Sequence, residues 1–201
     1  MPVKKSPILF YVGRFLFYLC FRFIFRCNVE GRENIPKECG IIIASNHISV
    51  WDPPLTGSMM ERPLNFMAKQ ELFDIPILGF LIKRTNAFPV KRGTQDMSAM
   101  RNAFSLLENG NALLMFPEGT RSKDGCLGKA RAGVGMVACH AQVPVIPVKI
   151  ENTNNVLKLK KIKIKYGIPI MPPKEYSKSD YIRFSQKILD QINEMQFEKQ
   201  E

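Results

Sequence analysis

The chain has 201 residues, enough for one domain with a substantial core, and its 45% hydrophobic and 23% charged residues exclude a disordered or fibrous chain. Lys and Arg total 29 against 18 Asp and Glu, a net charge of +11, so the surface attracts anions such as nucleic acid, anionic lipid or phosphorylated substrates. Five cysteines without a CxxC pair suggest neither a zinc site nor a disulfide framework, and fit free thiols in a reducing cytosol.

Residues 8–27 read ILFYVGRFLFYLCFRFIFRC. No small-residue cleavage site follows, so the stretch is not read as a cleaved leader. Arg14, Arg22 and Arg26 interrupt it, and a spanning helix tolerates few charges. At about 100° per residue these arginines share one sector opposite a broad apolar one. That pattern predicts an amphipathic helix lying in the membrane interface, with Pro7 in its first turn.

Residues 28–37 read as strand ends and a turn. Residues 40–45 (GIIIAS) form a short apolar run, read as a buried strand. The spacing predicts a helix over 97–109, a second buried strand over 112–116, a small-residue helix over 128–142 and a third strand over 145–150. Residues 159–166 alternate Lys with apolar residues, as a half-exposed strand does. A last helix is expected over 177–194, with Ser177 or Ser179 as its cap. Helices and strands alternate, so the fold class is α/β, a sheet flanked by helices. In such sheets ligands bind beyond the carboxyl ends of the strands.

Two motifs leave predicted strands at that end. The first is Asn46-His47-Ile48-Ser49-Val50-Trp51-Asp52. A histidine at a strand exit can accept a proton near neutral pH, and an aspartate on its other ring nitrogen would fix the tautomer. In a regular helix, positions five apart lie about 140° round the axis. His47 and Asp52 therefore meet only if the loop turns, which Pro53-Pro54 favours. The second motif is Phe116-Pro117-Glu118-Gly119-Thr120-Arg121-Ser122. Gly119 permits unusual torsions, Arg121 offers a planar fork suited to phosphate, Thr120 and Ser122 add hydroxyls, and Glu118 can accept a hydrogen bond from a substrate hydroxyl. Between them lie Lys69 and Lys91-Arg92-Gly93, a candidate cationic set for a phosphate headgroup. The run Val143-Pro144-Val145-Ile146-Pro147-Val148 reads first as core.

Taken in order, these blocks resemble the signature blocks of the glycerolipid acyltransferases, specifically the 1-acyl-sn-glycerol-3-phosphate (lysophosphatidic acid) acyltransferases. The resemblance spans roughly Gly40 to Ile150, with Lys69 to Gly93 as the remaining block. It implies a two-layer α/β domain over residues 28–201, preceded by a membrane-interface helical element over 1–27. It implies His47 as general base on the sn-2 hydroxyl of the acceptor, with Asp52 orienting it. Lysophosphatidic acid would be held by Glu118, Gly119, Thr120, Arg121 and Ser122, assisted by Lys69 and Arg92. The donor would be acyl-CoA or acyl-carrier protein, with no metal and no cofactor, at the cytoplasmic face of the cell membrane as a monotopic or peripheral protein.

Three other readings compete. The same chemistry could serve another lysophospholipid or a lyso-aminolipid. A non-catalytic protein binding anionic lipid explains the charge but not the paired motifs. A nucleic-acid partner is disfavoured, because no recognition helix or RNA-binding aromatic motif is present.

Overall fold

The structure, a computed structural model, describes residues 7–91, 96–122, 125 and 127–198. Among these the strands are β1 (Asn28–Glu30), β2 (Ile41–Ser45), β3 (Leu64–Lys69), β4 (Ala87–Val90), β5 (Ala112–Met115), β6 (Val145–Glu151) and β7 (Lys163–Tyr166). They form one sheet in the order β1-β7-β6-β2-β5-β3-β4. Every pairing is parallel except that of β6 with β7. The helices are α1 (Pro7–Leu19), α2 (Asp52–Met59), α3 (Pro76–Arg84), α4 (Met97–Glu108), α5 (Gly133–Ala141) and α6 (Lys178–Glu194).

The central strand shows why the sheet is covered on both sides. Ile41 and Ile43 join Phe21, Leu55, Met59 and Ile146 in one core, while Ile42 and Ala44 join Leu107, Val134, Phe184 and Ile188 in the other. A strand buried on both faces needs a continuous apolar run rather than an alternating one. Each such isoleucine contributes about 2–3 kcal/mol by burial. The expected helix-flanked α/β sheet is what forms. The N-terminal helical element and α2 add a layer on the face opposite α4, α5 and α6.

Several boundaries differ from the sequence reading for identifiable reasons. The N-terminal helix runs from α1 into a π-helical turn at Cys20–Ile24, and Arg26 with φ +47° ends it. Its arginines do not form one outward face. Arg14 points inward and donates to the carbonyls of Met60 and Glu61, whereas Arg22 and Arg26 are exposed. The outward face of α1 is apolar, with Ile8, Tyr11, Val12, Phe15 and Leu16 exposed. Helix α5 starts at Gly133 rather than 128, because the N–H groups of Gly128, Ala130 and Arg131 go to Glu118, Gln186 and Pro117. Strand β7 starts at Lys163, because Thr153–Lys158 coils into 3-10 turns and Leu159 takes φ +47°. Strands β3 and β4 and helices α2 and α3 were not predicted as elements; the residues around them were read only for their charges and prolines. The C-terminal helix begins as expected after Ser177, whose N–H and hydroxyl both donate to Asp180.

Candidate active site

Because β2, β3, β5 and β6 are parallel, their carboxyl ends share one edge of the sheet. The chain leaves β2 through Asn46, whose side chain prolongs the sheet. Its Nδ2 donates to the Ile150 carbonyl at 2.9 Å and its Oδ1 accepts from the Ile150 N–H at 2.7 Å. With the amide side chain standing in for backbone, the main chain is free to turn, and residues 47–51 loop back to the start of α2.

That turn joins the two residues whose helical spacing would have kept them apart. His47 Nδ1 lies 2.8 Å from Asp52 Oδ2. The same oxygen accepts from the N–H groups of Ile48 and Ser49 at 2.8 Å each, and Oδ1 accepts from the Thr153 hydroxyl at 2.6 Å. Asp52 is fully buried, and both of its oxygens accept, three donors converging on Oδ2 and one on Oδ1. A buried carboxylate needs that compensation, since an unpaired one carries a desolvation cost of several kcal/mol. An ionised carboxylate only accepts, so the Nδ1–H of His47 is the donor and Nε2 carries the free lone pair. Stacked on the imidazole, 3.8 Å away and 12° from parallel, is the ring of Phe116, which covers one face. His47 is nearly buried, with 8% of its surface exposed, so it is shielded from water without being sealed off.

The second motif braces the first. Glu118 is buried; its Oε1 lies 3.4 Å from the His47 N–H, and its Oε2 accepts from the Gly128 N–H at 2.9 Å. The Ser122 N–H donates to the His47 carbonyl at 2.8 Å. Gly119 has φ +70°, a torsion that favours glycine, and the Arg131 side chain packs close over it.

The predicted binding residues thus divide. Glu118, Gly119 and Ser122 hold the loop bearing His47, while Thr120 and Arg121 are exposed at the same edge. Lys69 ends β3 on that edge, exposed and paired with Glu71 at 3.1 Å. Arg92 lies outside the described residues. Sequence reasoning missed Thr153, the stacking role of Phe116 and the strand-like pairing of Asn46. Thr153 is 101 residues from Asp52, and no local pattern announces such a contact. Among the described residues no group of His, Cys, Asp and Glu side chains is placed to hold a metal ion.

Comparison with known proteins points to one family. The model of the Acyltransferase family matches residues 26–151. The chain is 32% identical over 136 residues to a chloroplast 1-acyl-sn-glycerol-3-phosphate acyltransferase of Arabidopsis thaliana, covering 66% of this chain and 38% of that protein. It is 29% identical over 148 residues to the 1-acyl-sn-glycerol-3-phosphate acyltransferase of Bacillus subtilis, covering 71% of this chain and 73% of that one. The chain thus spans about two fifths of the chloroplast relatives' length, 38% and 39%, and most of the bacterial one. The crystal structure of the 1-acyl-sn-glycerophosphate acyltransferase PlsC from Thermotoga maritima superposes with a TM-score of 0.74 at 28% identity, covering 96% of this chain and 83% of that one.

Proposed function

The chain belongs to the acyltransferase family, and from that premise we propose that it moves a fatty acyl group from a thioester donor to the sn-2 hydroxyl of 1-acyl-sn-glycerol-3-phosphate, giving phosphatidic acid. The observation that carries this reading is the His47–Asp52 pair at 2.8 Å, at the sheet edge where ligands of α/β proteins bind.

The steps follow from the pair. Nε2 of His47 accepts the proton of the acceptor hydroxyl as its oxygen attacks the thioester carbonyl. The imidazolium that forms is stabilised by Asp52, which keeps its own charge. The tetrahedral intermediate collapses, the C–S bond breaks, and the imidazolium returns the proton to the departing sulfur, so one ester and one free thiol result. No acyl-enzyme is formed and no metal or cofactor takes part. Arg121, with Lys69 and Arg92, binds the acceptor phosphate, for which a guanidinium fork is well shaped. Acyl-CoA or acyl-carrier protein serves as donor.

The reading places the chain on a membrane, because its acceptor is a lipid. Among the described residues no helix is long and apolar enough to cross one. The exposed apolar face of α1 supports a monotopic seat instead, and the free cysteines support the cytoplasmic side. The deciding experiment supplies lysophosphatidic acid with acyl-CoA or acyl-carrier protein and follows free thiol. Thiol release with formation of phosphatidic acid is expected; release of no thiol from either donor overturns the reading.

A further inference from the structure

Between β6 and β7 the chain makes a closed surface loop with two unlike sides. Its base is tied by Asn152, whose Nδ2 donates to the Lys161 carbonyl at 2.8 Å. Its inner side is fixed: Thr153 holds Asp52, and Val156 packs against the core on the α1 and α2 face of the sheet. Its outer side is the run Leu157-Lys158-Leu159-Lys160, exposed at every residue. Leu157 is 96% exposed, more than any other large hydrophobic residue of the structure's described part. Leu159 is also exposed, and its φ of +47° is one that side chains other than glycine rarely adopt. Two leucines turned to solvent, one of them on a strained backbone, gain nothing from the protein's own interior. Such features persist where something outside the chain uses them.

The surroundings identify what that is. Lys158 and Lys160 alternate with the leucines, whereas the lysines of β7 that continue the pattern are engaged: Lys163 with Glu151 at 3.9 Å and Lys165 with Glu30 at 3.0 Å. The loop runs into the end of the N-terminal helix, since the Ile162 N–H donates to the Phe25 carbonyl at 3.3 Å. There Phe23 and Ile24 are exposed beside exposed Arg22 and Arg26. Apolar tips interleaved with cations, on one continuous surface beside the catalytic edge, match the depth profile of an anionic bilayer, with an acyl region under a layer of phosphates.

We propose that residues 157–160 are a second seat on an anionic lipid bilayer, Leu157 and Leu159 entering below headgroups that Lys158 and Lys160 grip, so that the lipid surface is brought to the loop that buttresses Asp52. The proposal rests on the lipid acceptor assigned above, and its test keeps the two apart. The full chain and two double variants, L157S/L159S and K158E/K160E, are sedimented with vesicles of phosphatidylcholine alone or with added phosphatidylglycerol. Their turnover is then measured on lysophosphatidic acid in those vesicles and in detergent micelles, with acyl-CoA and with acyl-carrier protein as donor. Each variant is expected to bind anionic vesicles at least about 5-fold more weakly, as loss of a lysine or of a few buried methylenes does. Only the lysine contribution should fade with added salt. Micellar turnover should stay within about 2-fold of the parent, as for other surface changes.

Unchanged vesicle binding by both variants overturns the proposal. So does a defect confined to acyl-carrier-protein donors, which would assign the surface to an acidic protein. A chain that transfers no acyl group in either medium refutes the catalytic reading, while the sedimentation arm still decides the loop.

Discussion

The backbone N–H of His47 faces Oε1 of Glu118 across 3.4 Å, so the loop that carries the imidazole leans on a carboxylate supplied by the next strand but two in the chain. Glu118 also accepts from Gly128, and it can serve both N–H groups only because both of its oxygens are acceptors. In Glu118→Gln one position becomes an NH2 group facing a donor. The buried mismatch costs about 1–3 kcal/mol, and at about 2–4 °C per kcal/mol for a domain of this size the melting temperature should fall by several degrees. Turnover should fall with it. Scanning calorimetry beside the thiol assay checks both; a variant with parental melting temperature and turnover would show that the brace is dispensable.

Thr153 acts on the same pair from the other side. Its hydroxyl is 2.6 Å from Asp52 Oδ1, and both residues are fully buried. Thr153→Val keeps the shape and removes the donor. A hydrogen bond to a charged group contributes about 1.5–3 kcal/mol, so kcat should drop roughly tenfold or more with KM little changed. Thr153→Ser should restore most of the loss. If serine and valine behave alike, Thr153 acts by packing and not by its hydroxyl.

His47→Ala should lower turnover at least about 10²-fold, the smaller end of the range for losing a general base. Asp52→Asn should approach the same defect for a different reason. An asparagine can keep its oxygen toward His47, Ile48 and Ser49 and turn its NH2 to the Thr153 hydroxyl, but it brings no charge to stabilise the imidazolium that forms. Near-parental turnover of His47→Ala, measured by thiol release, would remove the imidazole from the mechanism.

Alkaline pH should destabilise the fold. Burial pushes the Cys27 thiol up to about 12, and burial likewise raises the Tyr166 hydroxyl. Both groups stay protonated in the folded chain after their unfolded counterparts begin to ionise. The folded state then binds more protons than the unfolded state, and stability falls as pH rises. For Cys27 the loss begins near its ordinary value of 9.0 and continues toward about 12. Melting temperatures recorded from pH 8 to 11 should decline, and Cys27→Ala should lessen the slope. A slope unaltered by that change would assign the decline to other groups.

What was legible in the sequence follows from how local each signal is. The buried strands β2, β5 and β6 announced themselves because central parallel strands need unbroken apolar runs. The cap of α6 was legible as Ser177 or Ser179, and the bonds of Ser177 to Asp180 decide for the first. The His47–Asp52 contact was posed conditionally, since it required a turn that spacing cannot supply, and Asn46 pairing with Ile150 supplies it. The inward course of Arg14 was not legible. A helical wheel ranks residues by polarity, and this arginine finds its acceptors in the carbonyls of Met60 and Glu61, just past the end of α2. Strands β3 and β4 escaped notice because they lie toward one side of the sheet and are partly exposed, so neither an apolar run nor a clean alternation marks them.

Substitution of Arg121 tests whether acceptor recognition can be separated from chemistry. It is exposed at the edge that bears His47, beyond the turn that Gly119 makes possible, and among the described residues no hydrogen bond or ion pair joins it to the His47–Asp52 pair. If it grips the acceptor phosphate, Arg121→Ala should raise KM for lysophosphatidic acid about tenfold or more while leaving KM for the thioester donor unchanged, since a charge-assisted bidentate contact is lost from one substrate only. Arg121→Lys should recover part of the loss, because a point charge replaces some of the attraction but not the planar fork. An acceptor without phosphate should be indifferent to the substitution. Equal damage toward both substrates would instead place Arg121 on the donor or in the scaffold of the turn, and the thiol assay with each substrate varied in turn distinguishes these outcomes.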